Sequence, residues 1–257
     1  KIKAMRKSLY AACMAMALLS CNKLEELCNP TPGKTTAGAL DFDGQDDEVI
    51  LGDWFRYQVF TIQFWAKPGA TQNSYANIID NEHDSYISWT IQQNGDETNN
   101  YYYGGGANAY FSLEAGVWQQ VSLVKKEDSV GVYVNGILID KAPRIIDIDY
   151  PYSHTMRLGN WAGGGRNWNG QLDEVRIWNR ALSKAEIKSN MNCQLTGSET
   201  GLVAYYKFNQ GAVNADNSAV NALTDASGNQ HTGTLTNFAL SGTTSNWVAG
   251  KVTGICY

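Results

Sequence analysis

Apolar and polar positions alternate with period two along much of this chain, and at one place the period changes. From Asp173 to Asn179, Val175 and Ile177 fall on one side and Glu174, Arg176 and Trp178 on the other. That is the pattern of a strand with one face on a core. Ser183-Lys-Ala-Glu186 follows and forms a capping box. The Ser183 hydroxyl can accept from the amide of residue 186, and the Glu186 carboxylate can reach back to the amide of Ser183. Leu182 and Ile187 supply the matching hydrophobic staple. The pattern predicts a strand, a tight corner, and one short helix over 183–192.

The same alternation recurs upstream. Phe60, Ile62, Phe64 and Ala66 alternate with Thr61, Gln63 and Trp65. Ile78-Ile79, Tyr86–Ile91, Trp118–Val124 and Met156–Gly159 read as further strands. Asn135-Gly136, set between apolar runs, is a strong hairpin signal. Many short strands and a single helix predict an all-β fold, a two-sheet antiparallel sandwich over 38–250. Within it, Leu202–Phe208 and Thr232–Thr236 are strand-like and Asp225–Asn229 is a turn. This segment either opens a second module or folds back to complete the first. The second reading is preferred, because a three-strand fragment alone cannot bury its apolar residues. Residues 251–257 read as a tail.

Three segments carry a family resemblance. Ala39-Leu-Asp-Phe-Asp-Gly44 resembles the opening strand of the laminin-G-like (concanavalin A-like, pentraxin-related) jelly-roll modules. Phe60–Pro68 resembles their next long strand, and Gly170–Ile187 their closing strand with its small helix. The likeness covers roughly residues 39–192 and implies a jelly roll. It does not imply one function, since lectins, adhesion modules, glycosidases and spacers share the sandwich.

The N-terminus changes the expected location. Residues 1–7 are basic, Leu9–Leu19 is apolar but too short to span a bilayer, and Leu18-Leu19-Ser20-Cys21 resembles the lipobox of bacterial lipoproteins. Residues 1–21 are therefore expected to be a signal peptide and Cys21 a lipidation site. Residues 22–37 then form a linker, and the protein is exported and lipid-anchored on the bacterial cell envelope, at the outer membrane or cell surface. Of the cysteines beyond Cys21, Cys193 is expected to pair with either Cys28 or Cys256. The chain carries a net charge of −5; without residues 1–20 it holds 16 basic against 25 acidic residues, or −9. Such a surface argues against nucleic acid as a partner.

Candidate chemistry is of three kinds. Gln171-Leu-Asp173-Glu174 is the nearest stretch to a glucanase carboxylate motif and lacks both outer glutamates, and none of His83, His154 and His231 lies in a catalytic motif. The acidic turn Asp41–Glu48 is oxygen-rich. Related modules hold calcium between this segment and the closing strand, so the resemblance implies a structural calcium on Asp43 and Asp173. Tyr101, Tyr102 and Tyr103, with Trp161, Arg166, Asn167 and Trp168, have the composition of a sugar-stacking surface. Against it, Tyr and Trp are good strand residues, and one of Trp161 and Trp168 is expected in the core. Together these residues point to a non-catalytic surface module that binds a glycan. A structural or adhesion module that contacts another surface protein is the alternative, and a glycoside hydrolase with an unrecognised carboxylate pair comes third.

Overall fold

The alternating segments pair into two antiparallel sheets of eight strands each. The computed structural model describes residues 38–81, 89–144, 154–252 and 254–256. In chain order the strands begin with β1 (Ala39–Asp43), β2 (Glu48–Gly52), β3 (Phe60–Pro68), β4 (Asn77–Asn81), β5 (Trp89–Gln93) and β6 (Asn100–Gly104). They continue with β7 (Asn108–Ser112), β8 (Gln119–Lys125), β9 (Ser129–Val134), β10 (Ile137–Pro143), β11 (Met156–Leu158) and β12 (Asn169–Trp178). After a helix, α1 (Lys184–Asn190), come β13 (Leu202–Tyr206), β14 (Ala222–Leu223), β15 (Gly233–Thr236) and β16 (Trp247–Val248).

One sheet runs β10-β9-β8-β3-β12-β1-β16, with β13 also on β12; the other runs β14-β15-β2-β11-β4-β5-β6-β7. Between them lies an aromatic core. Phe55, Phe60 and Trp89 meet at ring-centroid distances of 5.0–5.4 Å, and Phe42 packs edge-on against Trp168. Burying each such ring contributes about 2–3 kcal/mol. At the β9–β10 hairpin both Asn135 and Gly136 have positive φ, as a two-residue turn of the favoured hand requires.

Residues 201–250 add strands to both sheets. β13 pairs with the second half of β12, β15 with β2, and β16 with β1. The final residues are also tied in, so they are not a loose tail. The amides of Lys251 and Val252 donate to Asp173, and Cys256 forms a disulfide with Cys193. Cys28, Cys21 and His83 lie outside the described residues.

The outward face of β12 departs from the expected pattern. Glu174, Arg176 and Trp178 are buried as fully as Val175 and Ile177. A second, smaller core of Val124, Trp178, Leu182, Ile187, Leu195, Leu202 and Tyr205 covers them. The helix closes that core, and its start follows the capping box. Ser183 N donates to Glu186 Oε2 at 2.7 Å, and Glu186 N to Ser183 Oγ at 3.3 Å. Arg180 also pairs with Glu186 at 2.6 Å.

These bonds, led by the one from the Ser183 amide, pull the Glu186 carboxyl down from 4.5 to about 2. A lowered folded value means stability present above the unfolded one and lost as the pH falls through the folded one. Chemical denaturation should show this contribution disappearing between pH 4.5 and about 2, with Glu186→Gln flattening that window. Ser183→Ala should cost about 1 kcal/mol at neutral pH.

Candidate functional site

The second sheet turns its apolar alternates into the core and its polar and aromatic ones to the other side, where Asn77, Asp80, Thr90 and Gln92 are themselves buried, Tyr102 is half-buried and Tyr110 is exposed. On β5, Trp89 and Ile91 enter the core while Thr90 and Gln92 face away. The strand register then aligns Asn77, Gln92, Tyr102 and Tyr110 in one row across β4, β5, β6 and β7. A neighbouring row holds Asp80, Thr90, Gly104 and Asn108. Hydrogen bonds fix the rows. Thr90 Oγ1 donates to Asn77 Oδ1 at 3.1 Å, and Asn77 Nδ2 to Asp80 Oδ1 at 3.3 Å. The Gln92 amide donates to the Tyr102 hydroxyl. A Cβ on Gly104 would sit 2.8 Å from the Tyr102 ring, so the glycine makes room for that ring.

The loop of residues 160–168 closes one end of the row. Asn160 Oδ1 accepts from the amides of Trp161 and Arg166, which curls the loop around its glycines. Arg166 Nη1 donates to Gln92 Oε1 at 3.0 Å. Its guanidinium lies 4.3 Å from the Trp161 ring centroid and 5.4 Å from that of Tyr75. One face of Trp161 is therefore taken by Arg166. The result is an aromatic and amide surface of Tyr75, Trp161, Tyr102 and Tyr110 around one cation, with Tyr75 46% and Tyr110 43% exposed.

This placement sorts the expected ligand residues. Tyr102, Trp161 and Arg166 come together. Tyr101, Tyr103 and Trp168 do not: each is fully buried. The alternation of β6 sends residues 101 and 103 into the core and leaves only 102 outside. Trp168 is the core tryptophan of its loop, with Nε1 donating to the Tyr101 hydroxyl at 3.1 Å. Asn77, Asp80, Thr90 and Gln92 were not anticipated. The signal for Thr90 and Gln92 lies in the Trp-Thr-Ile-Gln alternation at 89–92.

The acidic turn forms a separate feature. Carboxylate oxygens of Asp43, Asp46 and Asp47 lie within 4.8 Å of one another. Asp173 is not among them. β1 pairs Asp43 with Asn169 but Leu40 with Leu172, so Asp43 and Asp173 stand about four residues, or roughly 13 Å, apart along the ladder. Asp173 is buried and serves instead as an anchor for the amides of Lys251 and Val252. Burial pushes Asp47 up to about 7, against hydrogen bonds from the Asp43 amide and Ser245. Asn167 stands here rather than on the aromatic surface. Its Nδ2 donates to the Gln45 carbonyl, and its Oδ1 is buried with no hydrogen-bond partner. The three clustered carboxylates are a hard-oxygen set that suits Ca²⁺.

A jelly-roll sandwich with a polar, aromatic outer sheet face is the class this geometry defines. The family model described as the concanavalin A-like lectin/glucanases superfamily matches residues 43–188, more than half of the chain, and the chain belongs to that family. Among solved structures, a candidate carbohydrate-binding protein from Bacteroides ovatus ATCC 8483 superposes with a TM-score of 0.61 at 21% identity, over 80% of this chain and 59% of that one. The present chain thus spans about three fifths of that relative. Domain 4 of an extracellular arabinanase from Geobacillus stearothermophilus, solved with arabinotriose, gives 0.49 at 19% identity, over 61% of this chain and 80% of that one. A SAP-like pentraxin from Limulus polyphemus gives 0.46 at 16%, over 59% and 80%. At these identities the likeness is one of fold.

Calcium at the acidic turn would replace the Asp47 proton. Calcium added to EDTA-treated protein should raise the melting temperature at pH 7, and Asp43→Asn should abolish the rise. Equal melting curves with calcium and with EDTA would remove the metal from this turn.

Proposed function

We propose that this chain is a non-catalytic carbohydrate-binding module, and that the outer face of the second sheet is where it binds. The observation that carries this reading is the register row Asn77–Gln92–Tyr102–Tyr110, closed by Arg166. Sugar rings pack on aromatic faces, and amides and a guanidinium read their hydroxyls. Tyr102, Tyr110 and Arg166 are the accessible part of the row, and the buried Gln92 holds Tyr102 and Arg166 in place on a rigid sheet, so little ordering entropy is lost on binding. The described role of the Bacteroides ovatus relative agrees with it. Nothing in the row needs to move a proton, and Glu48, at the edge of the face, is paired with Arg157 at 3.3 Å. In the same reading Cys21 carries lipid and the linker holds the sandwich off a bacterial envelope, with calcium at Asp43, Asp46 and Asp47 stiffening the turn beside Asn167.

A second reading has its own observation. Edge strand β10 exposes Ile137, Leu138 and Ile139 in succession, at 61%, 43% and 53%. Such a run suits contact with another protein, although the irregularity between Leu138 and Asp140 blunts the edge.

A glycan array with the whole protein separates the two. The carbohydrate reading expects binding to a defined glycan class, weakened about tenfold by Tyr102→Ala, as the loss of one stacked ring implies, and also by Gln92→Ala, which releases Tyr102 and Arg166 from their buried anchor. Silence on the array, or binding indifferent to both substitutions, would end that reading and leave the β10 edge.

A further inference from the structure

The opposite sheet also has an outer face, and the helix covers only part of it. At the uncovered end, the register sets Lys67 beside Gln171 and Gln171 beside Asp41. Trp118 lies just past the ladder that pairs Ala66 with Gln119, and shares a hollow with Lys67. Two hollows of about 400 and 270 Å³ flank this row, and Lys67 and Gln171 line both. They form one trough, walled by Asn214 and Thr243 on one side and Gly116 on the other.

The polar groups of the trough fall into two sets. Asp41 is engaged: Gln171 Nε2 donates to its Oδ2 at 2.9 Å and the Ser245 amide to its Oδ1 at 3.0 Å. Burial raises its pKa, against these two hydrogen bonds and the charge of Lys67. The other set is open. The Lys67 ammonium, the Gln171 carbonyl oxygen and the side chains of Asn214 and Thr243 have no hydrogen-bond or ion-pair partner among the described residues. A cation in no direct ion pair, whose nearest charge is the hydrogen-bonded Asp41, an indole, and amides with a hydroxyl line these hollows. An acidic saccharide supplies each missing partner. Its carboxylate meets Lys67, a ring lies along Trp118, and its hydroxyls meet Gln171, Asn214 and Thr243.

We propose that this trough is a second binding site, distinct from the aromatic face of the other sheet, and that it takes a saccharide bearing carboxylates, such as a chain of hexuronic acid units. The site stands on its own residues, so it survives or fails independently of the row around Tyr102.

The test uses the whole protein carrying Tyr102→Ala, so that the other face is disabled. Titration calorimetry is run with trigalacturonic acid and with neutral cellotriose of equal length. The expected result is binding of trigalacturonic acid in preference to cellotriose, weakened about fivefold by Lys67→Met, the scale of one partly exposed ion pair, and less by Lys67→Arg. Asn214→Ala should weaken it as well; because Asn214 has φ of 52°, where alanine is strained, Asn214→Gly, which tolerates that backbone, should weaken binding equally and guards against a folding defect. No binding of trigalacturonic acid, equal binding of cellotriose, or indifference to both Lys67→Met and Asn214→Ala would overturn the proposal. If Tyr102→Ala itself abolishes trigalacturonic acid binding, the acidic sugar belongs to the other face and the trough is not a site.

Discussion

The structure turns on a change of partner in the middle of β12. Its first half pairs with β1 and its second half with β13, while β3 runs along its other edge with a break between Asp173 and Arg176. Glu174 sits at that break with φ of 53°, a conformation that a residue with a side chain adopts at a cost. The surroundings hold it there. Glu174 Oε2 accepts from Arg176 and from the Tyr205 hydroxyl, each at 2.5 Å. Arg176 also donates to the carbonyls of Asn190 and Cys193 at 2.6 Å. The ion pair is 2% and 0% exposed. Breaking such a pair leaves a buried charge and costs about 3–5 kcal/mol. It is therefore better understood as a device that fixes one arrangement than as a source of net stability.

What that device fixes is the layout of both outer faces. Arg176 holds the end of the helix and the disulfide-bonded Cys193 over the far end of the sheet. Trp65 adds a bond from Nε1 to the Met191 carbonyl at 2.7 Å. The helix and its small core thus cover the half of β12 that pairs with β13. The other half, beside β1, remains open around Gln171 and Lys67. With one face of its neighbour sheet closed in this way, the chain keeps two separate polar surfaces, one on each side of the sandwich.

Local signals made the fold legible. The capping box, the staple, the Asn-Gly hairpin and the alternation of β3 each state a conformation within a few residues, and each is found as stated. What could not be read was which side of a strand faces which layer. Tyr101–Tyr103 must split between two faces, but parity alone does not say that 102 is the outward one. The β12 pattern suggested a solvent face for Glu174, Arg176 and Trp178; only the distant partners Tyr205, Leu195 and Val124 reveal the second core. Asp173 stands apart from the acidic turn, and its Oδ2 has another engagement that local pattern does not show. Its acidity was visible, but the backbone amides of residues 251 and 252 that occupy it are about 80 positions away in sequence.

The loop of residues 160–168 joins the features that sequence reading kept apart. Arg166 reaches Gln92 on the sheet face, while its neighbour Asn167 reaches Gln45 in the acidic turn. Asn73 bridges the same two places, donating from Nδ2 to the carbonyls of Gly44 and Asn167. Arg166 and Asn167 share one stretch of backbone, so an ion that ordered the turn would also restrain the loop that carries the guanidinium. Calcium in this arrangement need not touch a sugar to matter. It would act by holding Asn167, hence the loop, hence Arg166 against Trp161, so that the binding face is formed before a ligand arrives.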